Sequence, residues 1–233
     1  MADEGTWIVR TYRSGNVGEK IKWWVPGPGS DRVRRRDARD LARIEKKNRG
    51  QAVKVMARMI NGNFGPGDIL LGLDYDDDHL PQTRQAARHR MELAIRRVRR
   101  AMEKDGAELR YIAVTSDLDG DTGEEVRLHH HLVIGKETLP YFREKWHEGG
   151  VHWSELRDRQ GDYTPVAGYL LRQVRGEPEE RKFIHSRNLH RPAPKDRVAR
   201  SGAVLRAPRG TQLLYMSEVR PYEPQYIRYV FRE

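Results

Sequence analysis

The chain has 233 residues, of which 44 are Lys or Arg and 34 are Asp or Glu, giving a formal net charge of +10 and a sequence pI near 9.9. It contains no cysteine, which excludes a disulfide-stapled scaffold, a thiolate metal site, an iron–sulfur cluster and a thiol nucleophile. No apolar run reaches the roughly 18 residues of a membrane-spanning helix and no signal-peptide core is present, so we expect a soluble, intracellular protein. The excess of positive charge favours a polyanionic partner, nucleic acid before a membrane surface.

The predicted elements alternate between strands and helices along the whole chain. In order, they are a strand at 7–12, helical segments within 31–61, a strand at 69–75, a helix at 83–105, a hairpin of 110–116 and 126–134, helices near 139–146 and 164–174, and strands at 151–153, 212–219 and 225–231. Gly50 is expected to divide the first helical region in two, with a single kinked helix as the alternative. Helices interleaved with hairpin-linked strands predict an α+β fold with an antiparallel sheet.

Three adjacent histidines lie in the second strand of the predicted hairpin. Strand side chains alternate between faces, so His129 and His131 share one face, about 6.5 Å apart along the strand, while His130 faces the packing helices. Two imidazoles, completed by a carboxylate from a neighbouring strand, can bind one divalent metal. The alternative is a solvent-facing or hydrogen-bonded histidine pair that binds no metal.

A second group of chemically active side chains lies on the predicted helix at 164–174. Thr164 as N-cap and Pro165 at the first helical position start this helix, and Tyr169 and Arg172 share one of its faces. A tyrosine hydroxyl beside a guanidinium can attack a phosphodiester while the arginine holds the phosphate oxygens. The alternative is a core tyrosine next to an unrelated surface arginine. Tyr163, just before the helix, is a second candidate nucleophile.

Together these motifs resemble the HUH endonucleases, and more specifically the rolling-circle replication initiators of bacterial phages and plasmids. The middle histidine stands where the family has a hydrophobic residue. The resemblance covers about residues 40 to 195, and its segments are 61–68, 111–115, the histidines, 169–172 and 186–192. It implies a five-stranded antiparallel sheet with flanking helices on a ferredoxin-like or RRM-like plan. It also implies an N-terminal extension (1–40), a nuclease domain (41–195) and C-terminal strands (196–233) packing on that domain.

The resemblance further implies an activity. Mg²⁺ or Mn²⁺, held by His129 and His131, would polarise the scissile phosphate of single-stranded DNA at an origin hairpin or nick site. Tyr169, assisted by Arg172, would attack the phosphorus, release a 3′-hydroxyl and keep the 5′-phosphate as a phosphotyrosine that can later be rejoined. This nick would start rolling-circle replication in the cytoplasm of a bacterial host. The P-loop signature is absent from the sequence, so a host helicase and a host polymerase are the expected partners.

The chain departs from the family at the third metal ligand. The family has a carboxylate at the end of the strand before the histidine strand; Ser116 stands there, and Asp117 is the expected substitute, with Asp119 behind it. In the first family motif, Asp74 replaces a threonine. The single strong Tyr-x-x-Arg motif implies that termination uses a second protomer or a water-mediated step.

Basic residues after the tyrosine motif are the expected phosphate contacts, namely Arg175, Lys182, Arg187 and Arg191. Two alternatives to a replication initiator remain. One is a relaxase or transposase of the same fold. The other is a nucleic-acid-binding module without catalysis, in which the histidines only pack, and the serine at position 116 favours it.

Overall fold

The computed structural model describes residues 5–27, 40–175, 181–200, 202–220 and 223–232. In this part of the chain the helices are Asp40–Asn63 (α1), Arg84–Lys104 (α2), Leu139–Lys145 (α3) and Thr164–Arg172 (α4). The strands are Thr6–Ser14 (β1), Val17–Val25 (β2), Ile69–Asp74 (β3), Tyr111–Leu118 (β4), Glu125–Ile134 (β5), Val151–Glu155 (β6), Ile184–His185 (β7), Lys195–Ala199 (β8), Thr211–Met216 (β9) and Gln225–Phe231 (β10). Within the same ranges, no helix is both long and apolar enough to cross a membrane.

One five-stranded antiparallel sheet contains the predicted hairpin, in the order β6-β3-β5-β4-β7. Helices α2 and α3 pack on one face of this sheet, and α1 and α4 cover the other. The register aligns His129 with Asp74 and His131 with Gly72 on β3. This arrangement confirms the predicted α+β class and the five-stranded antiparallel sheet with flanking helices. We call this sheet the histidine sheet.

A second five-stranded antiparallel sheet, which the sequence patterns did not predict, has the order β8-β1-β2-β10-β9. Strands from near both ends of the chain therefore pair with each other. One face of this terminal sheet packs on α1, where the buried Arg58 guanidinium donates to both carboxylate oxygens of Glu19 at 3.1 and 2.8 Å. The hydroxyl of Tyr226 donates to the same carboxylate at 3.1 Å. The domain boundaries near residues 40 and 195 stay predictions.

The first helical region is continuous, because α1 runs through Gly50, and the predicted break is wrong. The space around Gly50 is open, so this residue costs the helix only the roughly 1 kcal/mol of glycine's low propensity. Farther along, Met56 and Ile60 are fully buried in the core beneath α4, which stabilises the helix. Of the predicted range 31–61, residues 31–39 lie outside the described residues.

Candidate active site

The imidazoles of His129 and His131 converge on the face of the histidine sheet that α4 covers. Their Nε2 atoms are 3.1 Å apart, and the rings are nearly perpendicular, at 88°. The Nδ1–H of His129 donates to the carbonyl oxygen of Arg127 at 2.9 Å, which leaves the lone pair on its Nε2. Two nitrogens that bind one metal in adjacent positions, each at about 2.1 Å, lie about 3 Å apart. This spacing fits two ligands of one ion, and it is equally the spacing of an N–H···N hydrogen bond between the two rings.

A third atom that could bind a metal ion lies beside this pair. The side-chain oxygen Oε1 of Gln173, at the end of α4, is 3.1 Å from His131 Nε2. Burial, with a smaller contribution from His129, lowers the pKa of His131 to about 4, so this imidazole is neutral near pH 7. Its Nε2–H donates to the amide oxygen, and a cation bound at Nε2 would take the tautomer with the proton on Nδ1. Among the described residues no three His, Asp or Glu side chains form a metal-binding group. The third close donor is an amide oxygen.

The middle histidine has a structural role. His130 is fully buried on the opposite face, as the strand alternation predicted. Its Nε2 is 2.7 Å from the hydroxyl of Tyr75, and its Nδ1 is 3.1 Å from Oγ1 of Thr115. Burial, followed by the neighbouring histidines, lowers its pKa to about 3. Because both ring nitrogens are hydrogen-bonded, a neutral imidazole is accommodated there at little cost.

Helix α4 places Tyr169 over the histidines. The ring of Tyr169 lies 5.9 Å from the ring of His131, and the side chain is 36% exposed, so a substrate can reach it. Tyr163 is instead buried in the core, and burial raises its pKa, which makes it a poor second nucleophile. The start of the helix is held by Asp162, whose Oδ1 accepts from the backbone N–H of Thr164 at 2.9 Å. Thr164, predicted as the N-cap, is the first helical residue.

Arg172 and Asp117, the other two residues predicted for the active site, contact groups outside the lining of the cavity described below. Nε of Arg172 donates to the carbonyl oxygen of Gly120, in the loop of the β4–β5 hairpin, at 3.0 Å. The carboxylate of Asp117 accepts from the backbone N–H of Arg175 at 3.1 Å and pairs with its Nε at 3.4 Å. Arg175 also pairs with Glu125. In this arrangement Asp117 is engaged by an arginine, and the roles of Asp117 and Arg172 stay predictions.

A cavity of about 530 Å³ opens in front of the histidines. Its lining includes His129, His131, Tyr169 and Gln173, together with Asp74 and His152. Oδ2 of Asp74 lies 3.0 Å from Nε2 of His152, which stands on the neighbouring edge strand β6. The cavity thus combines two imidazoles, an accessible phenol and a carboxylate–imidazole pair.

Comparison of the chain with protein-family models, curated proteins and solved structures finds no match. The HUH resemblance therefore rests on the motifs and stays a prediction.

Sequence reasoning missed three residues of the cavity. Gln173 lies four residues after Tyr169, a spacing that places both on one helix face and was available as a signal. Asp74 was noted only as a departure from the family's first motif. His152 carried no signal, because only the strand order β6-β3-β5 brings it into the same cavity as the histidine strand.

The remaining predicted phosphate contacts lie outside the cavity lining. Arg187 and Arg191 are exposed in the segment after β7, which pairs with β4 at the far edge of the histidine sheet. The guanidinium of Arg191 is 3.1 Å from Nε2 of His185. Lys182 lies just before β7, in a separate small pocket beside Arg84. Their contacts with DNA stay predictions.

Proposed function

We propose that this chain is a metal-dependent endonuclease and ligase for single-stranded DNA, of the HUH type, that initiates rolling-circle replication. One observation carries the proposal: the ring of an accessible tyrosine, Tyr169, lies 5.9 Å from the ring of His131, whose Nε2 is 3.1 Å from Nε2 of His129. Phosphodiester transfer to a hydroxyl needs a nucleophile beside a group that stabilises charge on the phosphate oxygens. A purely structural histidine pair would not require an exposed phenol beside it.

The residues present fit a divalent ion. His129, His131 and Gln173 would hold it, and when bound it would stabilise the negative charge that develops on the phosphate. Two imidazoles with one amide oxygen form a mixed nitrogen and oxygen set. Mg²⁺ prefers oxygen ligands and imidazole suits transition metals, so this set favours Mn²⁺ over Mg²⁺.

The chain's own groups carry out the covalent step. Tyr169 Oη attacks the phosphorus of a phosphodiester and loses its proton to solvent. The bond between phosphorus and the 3′-oxygen breaks, and the leaving oxygen takes up a proton to become a free 3′-hydroxyl. The 5′-phosphate remains as an ester of Tyr169, which conserves the bond energy, so attack by a 3′-hydroxyl on this ester rejoins the strand. Arg172, bonded to Gly120, positions the hairpin loop at the mouth of the cavity.

The cellular context is part of the same proposal. The net charge of +10 supports a polyanionic substrate. The released 3′-hydroxyl would prime a host polymerase, and a host helicase would unwind the duplex in the bacterial cytoplasm.

One observation favours a second candidate, a nucleic-acid-binding module without catalysis. The three atoms placed to bind a metal, two imidazole nitrogens and the amide oxygen of Gln173, include no carboxylate oxygen. Asp117 is engaged by Arg175. If a carboxylate is needed to retain the metal, this site would hold none, and the protein would bind nucleic acid without cleaving it.

The first prediction separates these two functions. Incubation with labelled single-stranded oligonucleotides and Mn²⁺ should yield an adduct that survives SDS, because a phosphotyrosine is covalent. Tyr169→Phe should abolish the adduct, and Tyr163→Phe, which leaves the accessible phenol in place, is the matched control and should retain it. An adduct that persists in Tyr169→Phe rejects the nucleophile. DNA binding without any adduct across a broad oligonucleotide library supports the binding module.

A further inference from the structure

The cavity extends beyond the histidine pair toward the edge of the histidine sheet. On this side its floor is formed by β3 and β6, and Gly72 on β3 lies between His131 on one neighbouring strand and His152 on the other. All three residues line the cavity. The cavity therefore includes an open space over Gly72, which has no side chain, on the same surface as Tyr169.

Nothing in the fold requires a glycine at position 72. A Cβ built there would lie 3.7 Å from Cβ of His152, 3.8 Å from its carbonyl oxygen and 4.0 Å from Nδ1 of His131, all ordinary contacts. Glycine inside a strand weakens the sheet, and it often marks a place where a ligand approaches the backbone closely. The missing side chain thus keeps the floor of the cavity flat and open.

A polar pair forms the wall beside this floor. The side chains of Asp74 and His152 are 46% and 72% exposed, and they contact each other at 3.0 Å. The backbone of Asp74 is held in place: the indole N–H of Trp146 donates to its carbonyl oxygen at 3.0 Å. A side chain at Gly149 would meet that same oxygen at 2.3 Å, so the glycine is required there. The pair is exposed to the cavity yet fixed to a rigid strand end.

We propose that Gly72, Asp74 and His152 form a nucleoside subsite, which holds one unpaired nucleotide next to the scissile phosphate. The proposal rests on the proposed function. The flat floor at Gly72 contacts the base or sugar, and the carboxylate of Asp74 accepts a hydrogen bond from an amino group on the base edge. Cytosine, adenine and guanine carry such a group and thymine does not. The subsite therefore disfavours thymine at one position of the substrate.

The test uses Tyr169→Phe protein, which cannot cleave, and the tightest-binding oligonucleotide from a random single-stranded library. Fluorescence anisotropy with Mn²⁺ measures its affinity when each nucleotide in turn is made abasic. At one position, the abasic nucleotide should weaken binding about tenfold or more, the usual scale for losing a base contact. Adding Gly72→Leu to this variant should weaken binding of the intact oligonucleotide by a similar factor. An abasic nucleotide at that one position should then cause no further loss of affinity. Gly50→Leu, at an exposed glycine of α1, is the matched control and should change nothing.

A second measurement addresses the polar pair. Thymine at the sensitive position should bind less tightly than the other three bases, and Asp74→Ala should remove this difference. Mn²⁺ binding by Gly72→Leu, measured calorimetrically, should equal that of the parent, which shows that the metal donors are intact. A Gly72→Leu protein that retains full affinity, or that keeps the same abasic profile, overturns the subsite.

The outcomes distinguish the subsite from the proposed function. A position-specific abasic effect without any covalent adduct in wild-type protein would support the subsite and reject the nuclease. An adduct together with a flat abasic profile would support the nuclease and reject the subsite. Absence of all single-stranded DNA binding rejects both.

Discussion

Three adjacent histidines have two different roles because strand geometry assigns neighbouring side chains to opposite faces. His130 is enclosed in the core between Tyr75 and Thr115, whereas His129 and His131 face the cavity. The same residue type is thus a structural hydrogen-bonding group on one face and a candidate metal ligand on the other.

The buried bonds of His130 can be tested by removing one partner. Thr115→Val leaves Nδ1 of His130 without its hydrogen bond in the core, and should lower the free energy of unfolding by about 1–3 kcal/mol. Thr138→Val is the matched control, because the hydroxyl of Thr138 is also buried but has no partner in the described part of the chain. Urea denaturation should show little change for the control. Equal losses in both variants would contradict the role given to His130.

The proposed metal donors predict a graded response at position 173. Gln173→Ala removes one of three donors and should weaken Mn²⁺ binding by at least about 10-fold, whereas Gln173→Glu adds a charged oxygen ligand and should strengthen it. Isothermal titration calorimetry measures both. Asp117→Asn should leave the affinity unchanged, because this carboxylate pairs with Arg175. A strong loss in Asp117→Asn would restore Asp117 as the ligand.

At the scale of elements, the site depends on how α4 ends against the hairpin. The carbonyl oxygen of Gln173 accepts from the backbone N–H groups of Asp117 and Leu118 at 3.1 and 3.2 Å. These bonds fix the end of the helix to the end of β4, which is why Tyr169 and Gln173 lie over the neighbouring strand β5. Each element was predicted from its own pattern, but this contact between them was not.

The junction between α1 and the terminal sheet should depend on one buried ion pair. The side chains of Arg58 and Glu19 are only 9% and 5% exposed, so Glu19→Ala leaves a buried guanidinium without its partner and should cost about 3–5 kcal/mol. Asp196→Ala removes an exposed pair with Arg10, between β1 and β8, and should cost about 0–1 kcal/mol. Denaturant unfolding with a probe on the terminal sheet measures both. Similar costs would show that burial does not control this junction.

Strand β2 was not predicted because two of its charged residues, Glu19 and Lys22, are buried. Glu19 contacts Arg58, and the ammonium of Lys22 donates to the carbonyl oxygen of Ala203 and lies 4.5 Å from the ring centre of Trp7. The strand therefore lacks the apolar and polar alternation by which a half-buried strand is detected. Its polar groups are satisfied by segments that are distant in sequence.

At the scale of the whole molecule, several arginines pair with carboxylates, and the net charge of +10 is the excess of basic side chains over all of the carboxylates. Arg187 and Arg191 are exposed and were predicted to contact phosphates. If they do, Arg187→Ala and Arg191→Ala should each reduce the slope of log affinity against log salt for single-stranded DNA by about 0.7. Arg97→Ala, on the exposed face of α2 across the histidine sheet, is the control. Equal slopes in all variants would remove both residues from the DNA path.

The amino-acid sequence by itself determined those elements in which the spacing of apolar residues indicates one type of secondary structure. Helices α2 and α4 each bury one side, so the period of their apolar residues indicates their structure. Strands β4 and β5 are covered by helices on both faces, and short apolar runs joined by a polar loop indicate them. The shared face of His129 and His131 follows from the alternation of side chains along a strand. These properties need only local geometry.

Only the tertiary structure decided which groups meet at the site. The strand order places Asp74 and His152 beside the histidines, and the docked end of α4 adds Gln173, while Asp117 turns to Arg175. The terminal sheet likewise pairs strands from near opposite ends of the chain. Pairing over such separations depends on the packing of the whole molecule, and it leaves no periodic pattern within either segment.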